Sequence, residues 1–326
     1  MQAYHNLLEK IMSEGVEELN ERTGKICSTL VGDQLTFDMT SFPLLETRPM
    51  PIKSIIGELL SFFRGYTSAD KFRELGCKFW DANANETPNW LKNKNRKGTD
   101  DLGRIYGAQW TGWRDTRIIG LHEIVHYANT GYKIKCHKIK KLNPEGSFYV
   151  LERHINQLME VLKKLITDPS DRRMIITAWN PAELDLMSLP SCHIDYRFTV
   201  IKNTVNCVMT MRSCDAYLGL PANIAETGLL LKVMAGLSGF DVGKIVIQLA
   251  NVHLYSDHYS ATLELLNRKP NPASKVQINI SNLISYKSQD FSLVPQSVFS
   301  DIEPDYFEIV GYNPLGKIGA DAPMAV

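Results

Sequence analysis

A cysteine at the start of a predicted strand is the first candidate for covalent chemistry. Cys192 follows Pro190 in the segment 189–193 (LPSCH), so its thiol can project from a strand end into a cleft. Such a thiol is a nucleophile where a nearby cation stabilises the thiolate, and otherwise it packs as a small apolar residue. His193 is a poor direct base, because adjacent strand residues point to opposite faces. This arrangement disfavours a papain-like Cys–His hydrolase.

Glu58 is a candidate for proton transfer. It shares a helix face with Ile55 and Phe62, and burial on an apolar stripe raises the pKa of a carboxyl group. A carboxyl group with a raised pKa can exchange protons near neutrality. The alternative is a glutamate at the edge of the stripe, or one paired with a buried arginine. The spacing alone favours this alternative.

Arginines in short polar contexts could bind a phosphate through bidentate, charge-assisted hydrogen bonds. They are Arg22, Arg172, Arg173 and Arg212, the last followed by Ser213. Any one of them could instead form a surface salt bridge, but Arg212 ends the alternating strand segment 205–211. Asn223 stands where a predicted helix begins, so it either caps that helix or reads the edge of a base. The residues alone indicate a site for a phosphorylated small molecule with a thiol.

Hydrophobic periodicity predicts the α+β fold that must position these side chains. Helices are predicted over residues 51–65, 151–166, 223–237 and 256–268, and strands over 172–179, 193–201, 204–212 and 244–255. Residues 86–101 are polar and turn-rich and are predicted to form an exposed loop, whereas 115–150 have no dominant pattern. Because no linker or repeat occurs, we expect one domain over 1–326 with surface insertions near 86–101 and 115–150.

The composition excludes several classes of protein. Lys+Arg and Asp+Glu are both 36, and this zero net charge excludes a strongly basic nucleic-acid binder. No apolar run approaches the ~18–20 residues that span a bilayer, and the first residues lack the pattern of a secretion signal. The 6 cysteines include no CxxC pair, which favours neither a disulfide scaffold nor a structural zinc site. We therefore expect reduced cysteines, no metal and a cytoplasmic location.

Ordered sequence blocks along nearly the whole chain resemble the thymidylate synthase family. They are ERTG (21–24), SFPLLETR (41–48), IGELLSFFRG (56–65), FWD (79–81), LGRIYGAQW (102–110), DPSDRRMIITAWNPAEL (168–184), LPSCH (189–193), RSCDAYLGLPANIA (212–225), HLYSDH (253–258) and GYNP…APMAV (311–326). The resemblance implies a large mixed β-sheet flanked by helices and a homodimer formed through that sheet. It also implies 5,10-methylenetetrahydrofolate as cosubstrate, with no metal.

The resemblance implies roles for individual residues. Cys192 would add to C6 of a pyrimidine monophosphate, and a proton-transfer network would contain Glu58, His193 and Tyr106. The phosphate would be held by Arg22, Arg212 and Ser213, and by Arg172 and Arg173 from the other subunit. The ribose 3′-hydroxyl would contact His253 and Tyr255, and the base edge would contact Asn223. The residues implied to face the folate are Trp80, Asp215, Leu218 and Gly219.

The chain departs from the synthase pattern mainly around the folate pocket. Asn83 and Ala222 stand where the synthase has Trp and Phe, which should loosen the folate ring and admit water. We therefore expect 5-hydroxymethyl-dUMP as product, as from a deoxyuridylate hydroxymethylase of phage type acting in the host cytoplasm. The alternatives are a divergent thymidylate synthase, which the retained Trp80 favours, and a nucleotide-binding relative without turnover. The last is disfavoured, because binding alone needs no thiol. Further departures are Ser191, Met211, Glu226, Thr227 and residues 249–251.

Overall fold

The described part of the chain, in a computed structural model, comprises residues 1–21, 23–138, 148–270, 275–287 and 289–319. Arg22, expected to bind phosphate, lies outside the described residues, as do residues 139–147 of the insertion predicted near 115–150. The helices are α1 (Gln2–Glu14), α2 (Ile52–Phe63), α3 (Ala69–Glu74), α4 (Asp81–Asn85), α5 (Pro88–Leu91), α6 (Tyr106–Gly112), α7 (Gln157–Thr167), α8 (Gly219–Ser238) and α9 (Tyr259–Asn267). The strands are β1 (Val16–Asn20), β2 (Lys25–Phe37), β3 (Trp113–Gly120), β4 (Lys133–Lys138), β5 (Phe148–Ile155), β6 (Ile175–Thr177), β7 (His193–Ile201), β8 (Thr204–Asp215), β9 (Asp241–Tyr255), β10 (Gln277–Ile280) and β11 (Phe307–Val310).

A six-stranded mixed sheet is the centre of the fold. Its strand order is β1-β2-β9-β8-β7-β6, with β8 and β9 parallel and the other neighbours antiparallel. Side chains along β8 alternate between buried and half-buried positions, as expected for a strand with one face covered by helices. α8 packs on β8 and β9, and α2 packs on α8. The predicted α+β class, with a large mixed sheet flanked by helices, is confirmed.

Helix α8 is buried around most of its circumference because it lies between the sheet and α2. It ends at Gly239, whose φ of 72° is the left-handed conformation that glycine adopts without strain. It begins at Gly219, earlier than the predicted start at 223, because Pro221 is tolerated in the first turn of a helix. Asn223 therefore lies inside the helix, and its predicted alternative role as the N-cap is wrong.

The helix predicted over 151–166 is wrong in its first third. Residues 151–155 belong to β5, which pairs with β3 on one side and β4 on the other. Helix α7 starts only after Asn156, whose side chain accepts a hydrogen bond from the Met159 N–H at 3.2 Å. Cross-strand pairing with a neighbour distant in sequence outweighs the local helical pattern here.

The two predicted insertions have their own structure. The described residues of 115–150 belong mostly to a three-stranded sheet in the order β3-β5-β4. Residues 86–101 are not simply an exposed loop, because they include α5, whose Trp90 is buried. The Trp90 indole donates to the Asp101 carbonyl oxygen at 2.6 Å, which fixes the segment to the body of the fold. The single domain over 1–326 stays a prediction.

Candidate active site

Arg212 holds the segment that carries Cys192. Its Nε donates to the Ser191 carbonyl oxygen and its Nη2 to the Pro190 carbonyl oxygen, both at 2.8 Å. The same Nη2 lies 4.0 Å from Cys192 Sγ. Two hydrogen bonds from one planar guanidinium fix the loop and place a permanent positive charge beside the thiol. The requirement that sequence reasoning set for a reactive thiol, a nearby cation, is met.

Tyr106, at the first turn of α6, fixes the other side of the thiol-bearing residue. Its hydroxyl oxygen accepts the backbone N–H of Cys192 at 2.6 Å. Burial raises the pKa of Tyr106 well above its usual value, so the hydroxyl keeps its proton. The Tyr106 ring stacks on the His193 ring with centroids 4.2 Å apart. These contacts bring three of the predicted catalytic residues together.

His193 is buried and electrically neutral. Its Nδ1 and the Tyr196 hydroxyl share a hydrogen bond of 3.0 Å, and desolvation lowers the pKa of His193 to about 3. Since the ring is neutral at physiological pH, it cannot act there as a charged acid. The expectation that His193 does not serve as the direct base of Cys192 stays a prediction.

Glu58 is a buried carboxyl group whose hydrogen-bond partner is an indole, not an arginine. It projects from α2 with 9% exposure, and Trp80 Nε1 donates to its Oε1 at 2.8 Å. Desolvation raises the pKa of Glu58 to about 7, against the opposing effect of the Trp80 hydrogen bond. Helical spacing alone favoured a glutamate at the edge of the apolar stripe or one paired with an arginine, whereas the structure places Glu58 in a buried position. A carboxyl group of this pKa exchanges protons readily at neutral pH.

A cavity of about 400 Å³ adjoins the thiol segment, on the side of Arg212. This volume is in the range of small-molecule sites. Three predicted substrate-binding residues, Arg212, Ser213 and His253, lie on its wall. The other lining residues are Glu18, Leu19, Asn20, Cys27, Thr29 and Asn251. The walls are mainly polar, and the cavity joins the ends of β1 and β2 to β8 and β9.

His253 and Tyr255 are neighbours on one face of β9. His253 Nδ1 lies 2.9 Å from Asn251 Oδ1, which orients the imidazole. The Tyr255 ring meets the His253 ring edge-on, with centroids 5.2 Å apart. Both side chains are buried, so their positions are fixed by the sheet. The expectation that they contact a ribose hydroxyl stays a prediction.

The residues expected to face folate lie around the start of α8 and on the loop before α4. Asp215 Oδ1 accepts the backbone N–H groups of Tyr217 and Leu218, both at 3.0 Å, and so shapes the turn into α8. A Cβ at Gly219 would lie 3.6 Å from Asn223 Oδ1 and 3.8 Å from the Asp215 Cβ, so these three residues adjoin. Trp80 is buried, with its indole N–H committed to Glu58. Their contacts with folate stay predictions.

Arg172 and Arg173 lie on the surface, away from the cavity wall. The Arg173 side chain is 83% exposed and forms an ion pair with Asp171, with Nε and Oδ1 3.0 Å apart. Neither arginine is among the residues that line the cavity of this chain. Their expected contribution to a partner's site stays a prediction.

Glu226 is the group that sequence reasoning noted only as a departure and gave no role. It is 1% exposed on α8, one helical turn after Asn223, and neither carboxyl oxygen has a hydrogen-bond partner among the described residues. Its signal in the sequence is a carboxylate between Ile224-Ala225 and Leu229-Leu230, within an apolar helix. Such a group is costly to bury in its charged form.

Metal binding and membrane insertion find no support in the described ranges. Within these residues, no group of three or more His, Cys, Asp or Glu side chains is arranged to hold a metal ion. None of the helices described is both long and apolar enough to cross a bilayer.

Comparisons with known proteins give a consistent result. The family model for thymidylate synthase matches residues 2–326. Thymidylate synthase of Pseudomonas syringae pv. tomato is 36% identical over 338 residues, covering 100% of both chains. That of Pseudomonas putida is 35% identical over 333 residues, again with 100% of both covered. That of Idiomarina loihiensis is 36% identical over 282 residues, covering 86% of this chain and 88% of the relative.

Proposed function

The chain belongs to the thymidylate synthase family, and from this membership we propose that it converts dUMP to 5-hydroxymethyl-dUMP. The one-carbon unit comes from 5,10-methylenetetrahydrofolate, the cosubstrate of the family, and water completes the reaction. The curated relatives are named thymidylate synthase, which supports dUMP and folate as substrates. The observation that favours water over hydride as the group added to the methylene carbon is the pair of short, half-buried side chains Asn83 and Ala222.

Cys192 starts the proposed reaction by bonding its thiolate sulfur to C6 of uracil. The electrons of the C5–C6 double bond move towards O4, so that C5 becomes an enolate carbon able to attack an electrophile. Arg212 Nη2, at 4.0 Å, supplies the positive charge that favours the thiolate. The Tyr106 hydroxyl, bonded to the Cys192 N–H, holds the backbone in place during this step.

Carbon transfer follows from the enolate. C5 bonds to the methylene carbon of the folate as the bond from that carbon to N10 breaks, and N10 keeps the electron pair and takes up a proton from water. The C5 proton then passes to water, which forms the enolate again. The bond from that carbon to folate N5 then breaks, and N5 keeps the electron pair, so tetrahydrofolate departs unoxidised. An exocyclic methylene remains on the nucleotide, still attached to Cys192.

Water completes the conversion with Glu58 as the proton acceptor. The water oxygen bonds to the exocyclic carbon, its proton passes to the Glu58 carboxylate, and the double-bond electrons return to the enolate. Collapse of the enolate reforms the C5–C6 double bond and expels the Cys192 thiolate. A pKa of about 7 for Glu58 suits a base that must both accept and release a proton at neutral pH.

Nucleotide binding is proposed to use the polar cavity. Arg212 and Ser213 would hold the phosphate, and Asn223 would serve both N3–H and O4 of uracil with one amide. In the proposed homodimer, Arg172 and Arg173 of one subunit reach the phosphate in the other. Support for pairing through the sheet comes from its half-buried second face along β8 and from the exposure of these arginines.

The choice between water and hydride depends on the wall beside the folate ring. Hydride transfer needs the ring held within ~3–3.5 Å of the methylene carbon. Asn83 on α4 and Ala222 on α8 offer little apolar surface for such a ring. Water therefore reaches the methylene before hydride does.

Thymidylate synthesis is the second candidate, and a specific observation favours it. Trp80 is buried and fixed by its bond to Glu58, so one large aromatic ring remains beside the site. The names of the relatives point to the same reaction for those proteins.

Isotope labelling tests the proposal. The enzyme is incubated with dUMP and methylenetetrahydrofolate in ¹⁸O-enriched water, and the mass of the nucleotide product is measured by mass spectrometry. Addition of water gives a product with one heavy oxygen in its hydroxymethyl group, whereas thymidylate without heavy oxygen would contradict it. Tritium release from [5-³H]dUMP distinguishes an enzyme with either product from a non-catalytic binder, because only an enzyme removes the C5 hydrogen. Cys192→Ser is the inactive control.

A further inference from the structure

Two carboxyl groups interact electrostatically across the contact between α2 and α8. Glu58 projects from α2, and Glu226 from α8, and the two helices pack together. Glu226 lies three residues after Asn223, so the two share one face of α8. With 1% exposure and no hydrogen-bond partner for either oxygen among the described residues, Glu226 is a buried group that the proposed chemistry has not yet used.

Among the residues that the structure describes, no positive charge acts on Glu226. α8 packs against α2, α7, β8 and β9, and the charged group acting on Glu226 from these elements is the Glu58 carboxylate. The other titratable groups that interact with it are Tyr196 of β7 and Cys77, both neutral at physiological pH because burial raises their pKa. No lysine, arginine or histidine of the described ranges forms an ion pair with it.

This geometry determines where the protons of the pair reside. Two nearby buried carboxyl groups cannot both ionise without large cost, so their environments separate their pKa values. Glu58 has the Trp80 N–H to stabilise its charge, whereas Glu226 has no such donor in the part of the chain that the structure describes. Burial and the charge of Glu58 raise the pKa of Glu226 well above its usual range. Near neutral pH Glu226 therefore keeps its proton, and Glu58 is the member of the pair that ionises.

We propose that Glu226 is a positioning residue that holds a proton throughout turnover and acts through Glu58, so that the pair alternates between one negative charge and none. The inference rests on the proposed function, in which Glu58 takes the proton of the adding water. Glu58 then has one proton to accept and release, because Glu226 neither competes for it nor adds a second charge. If Glu226 ionised, its negative charge would disfavour ionisation of Glu58, and Glu58 would not return to the carboxylate form that accepts the proton of water.

The pH profile of Glu226→Gln tests the role. Tritium release by the wild type over many turnovers depends on Glu58, because Glu58 must take the proton of water before the enzyme is free again. Its rate should rise as Glu58 ionises around pH 7 and should fall at higher pH as Glu226 ionises. Glu226→Gln should keep activity at pH 7 within about threefold of wild type, because a neutral group replaces a neutral group, and should lose the falling limb. Thr227→Val, the next residue on α8, is the matched control and should keep both limbs. Identical profiles for wild type and Glu226→Gln would overturn the role, as would loss of activity in a folded Glu226→Gln.

Unfolding equilibria test the protonation independently of catalysis. Folding of the wild type takes up a proton at Glu226 above its usual pKa of 4.5, so its stability falls with rising pH relative to Glu226→Gln. The ratio of the two unfolding constants should change about tenfold per pH unit until the folded pKa is reached. A ratio independent of pH would show an ionised Glu226 and overturn the proposal. If the wild type released no tritium, the proposed function would fail while this measurement still reported on the pair.

Discussion

Replacing Glu58 by Gln should change how stability depends on pH, by an amount that follows from its burial. The folded pKa is about 7, and the usual value is 4.5. Because the folded state holds the proton more tightly, the stability that Glu58 contributes is fully present below pH 4.5 and is lost as pH rises to about 7. At ~1.36 kcal/mol for each pH unit between the two pKa values, the loss is about 3 kcal/mol.

Glu58→Gln removes this loss while keeping an oxygen that can accept the Trp80 N–H. The variant should therefore gain about 3 kcal/mol relative to wild type between pH 4.5 and pH 8, with no comparable difference below pH 4.5. Urea unfolding at a series of pH values measures this difference in the free energy of unfolding. The protein concentration is kept fixed because a homodimer is proposed. Glu160→Gln, on the exposed face of α7, controls for the loss of one surface carboxylate. A wild-type-to-variant difference that does not vary with pH would refute the raised pKa and the role built on it.

Other predictions concern the nucleophile, the base and the folate wall. Cys192→Ser should bind dUMP almost normally by calorimetry and abolish tritium release, since an alcohol is far less ionised than a thiol at neutral pH. The wild type should prefer dUMP over dCMP in competition assays, and Asn223→Asp should erode or reverse that preference; a wild type that prefers dCMP would contradict the assigned role of the amide. Asn83→Trp combined with Ala222→Phe should raise the methylated fraction of the product on chromatography. An unchanged fraction in the folded variant would show that these two side chains do not decide between water and hydride.

The elements predicted most accurately are those whose own residues show a clear helical or strand pattern. The strand predicted over 193–201 is β7 at the same bounds, since β-branched and aromatic residues alternate there without interruption. The helix over 51–65 corresponds to α2, because its apolar spacing continues to Phe63 and stops before Gly65, whose φ is 63°. The position of Cys192 just before β7 followed from Pro190 and that strand.

Features that depend on distant partners could not be read from the sequence. Glu58 is buried because Trp80, 22 residues later, supplies an indole N–H, and helical spacing contains no information about that contact. The first residues of the helix predicted over 151–166 form β5 because β3 pairs with them. The predicted start of α8 at 223 is too late, because the helix begins at Gly219 and proline fits a first turn. Sequence analysis assigned Glu226 no role, because the carboxylate that acts on it, Glu58, lies on α2 and is far away in sequence.

The central claim is tested most directly by the products of a single incubation with dUMP and methylenetetrahydrofolate. Chromatography of the nucleotides is combined with absorbance monitoring of dihydrofolate during turnover. The proposed hydration predicts mainly 5-hydroxymethyl-dUMP, with no absorbance rise from dihydrofolate. Mostly thymidylate, with dihydrofolate formed in equal amount, would contradict it and assign the chain the hydride-transfer reaction instead.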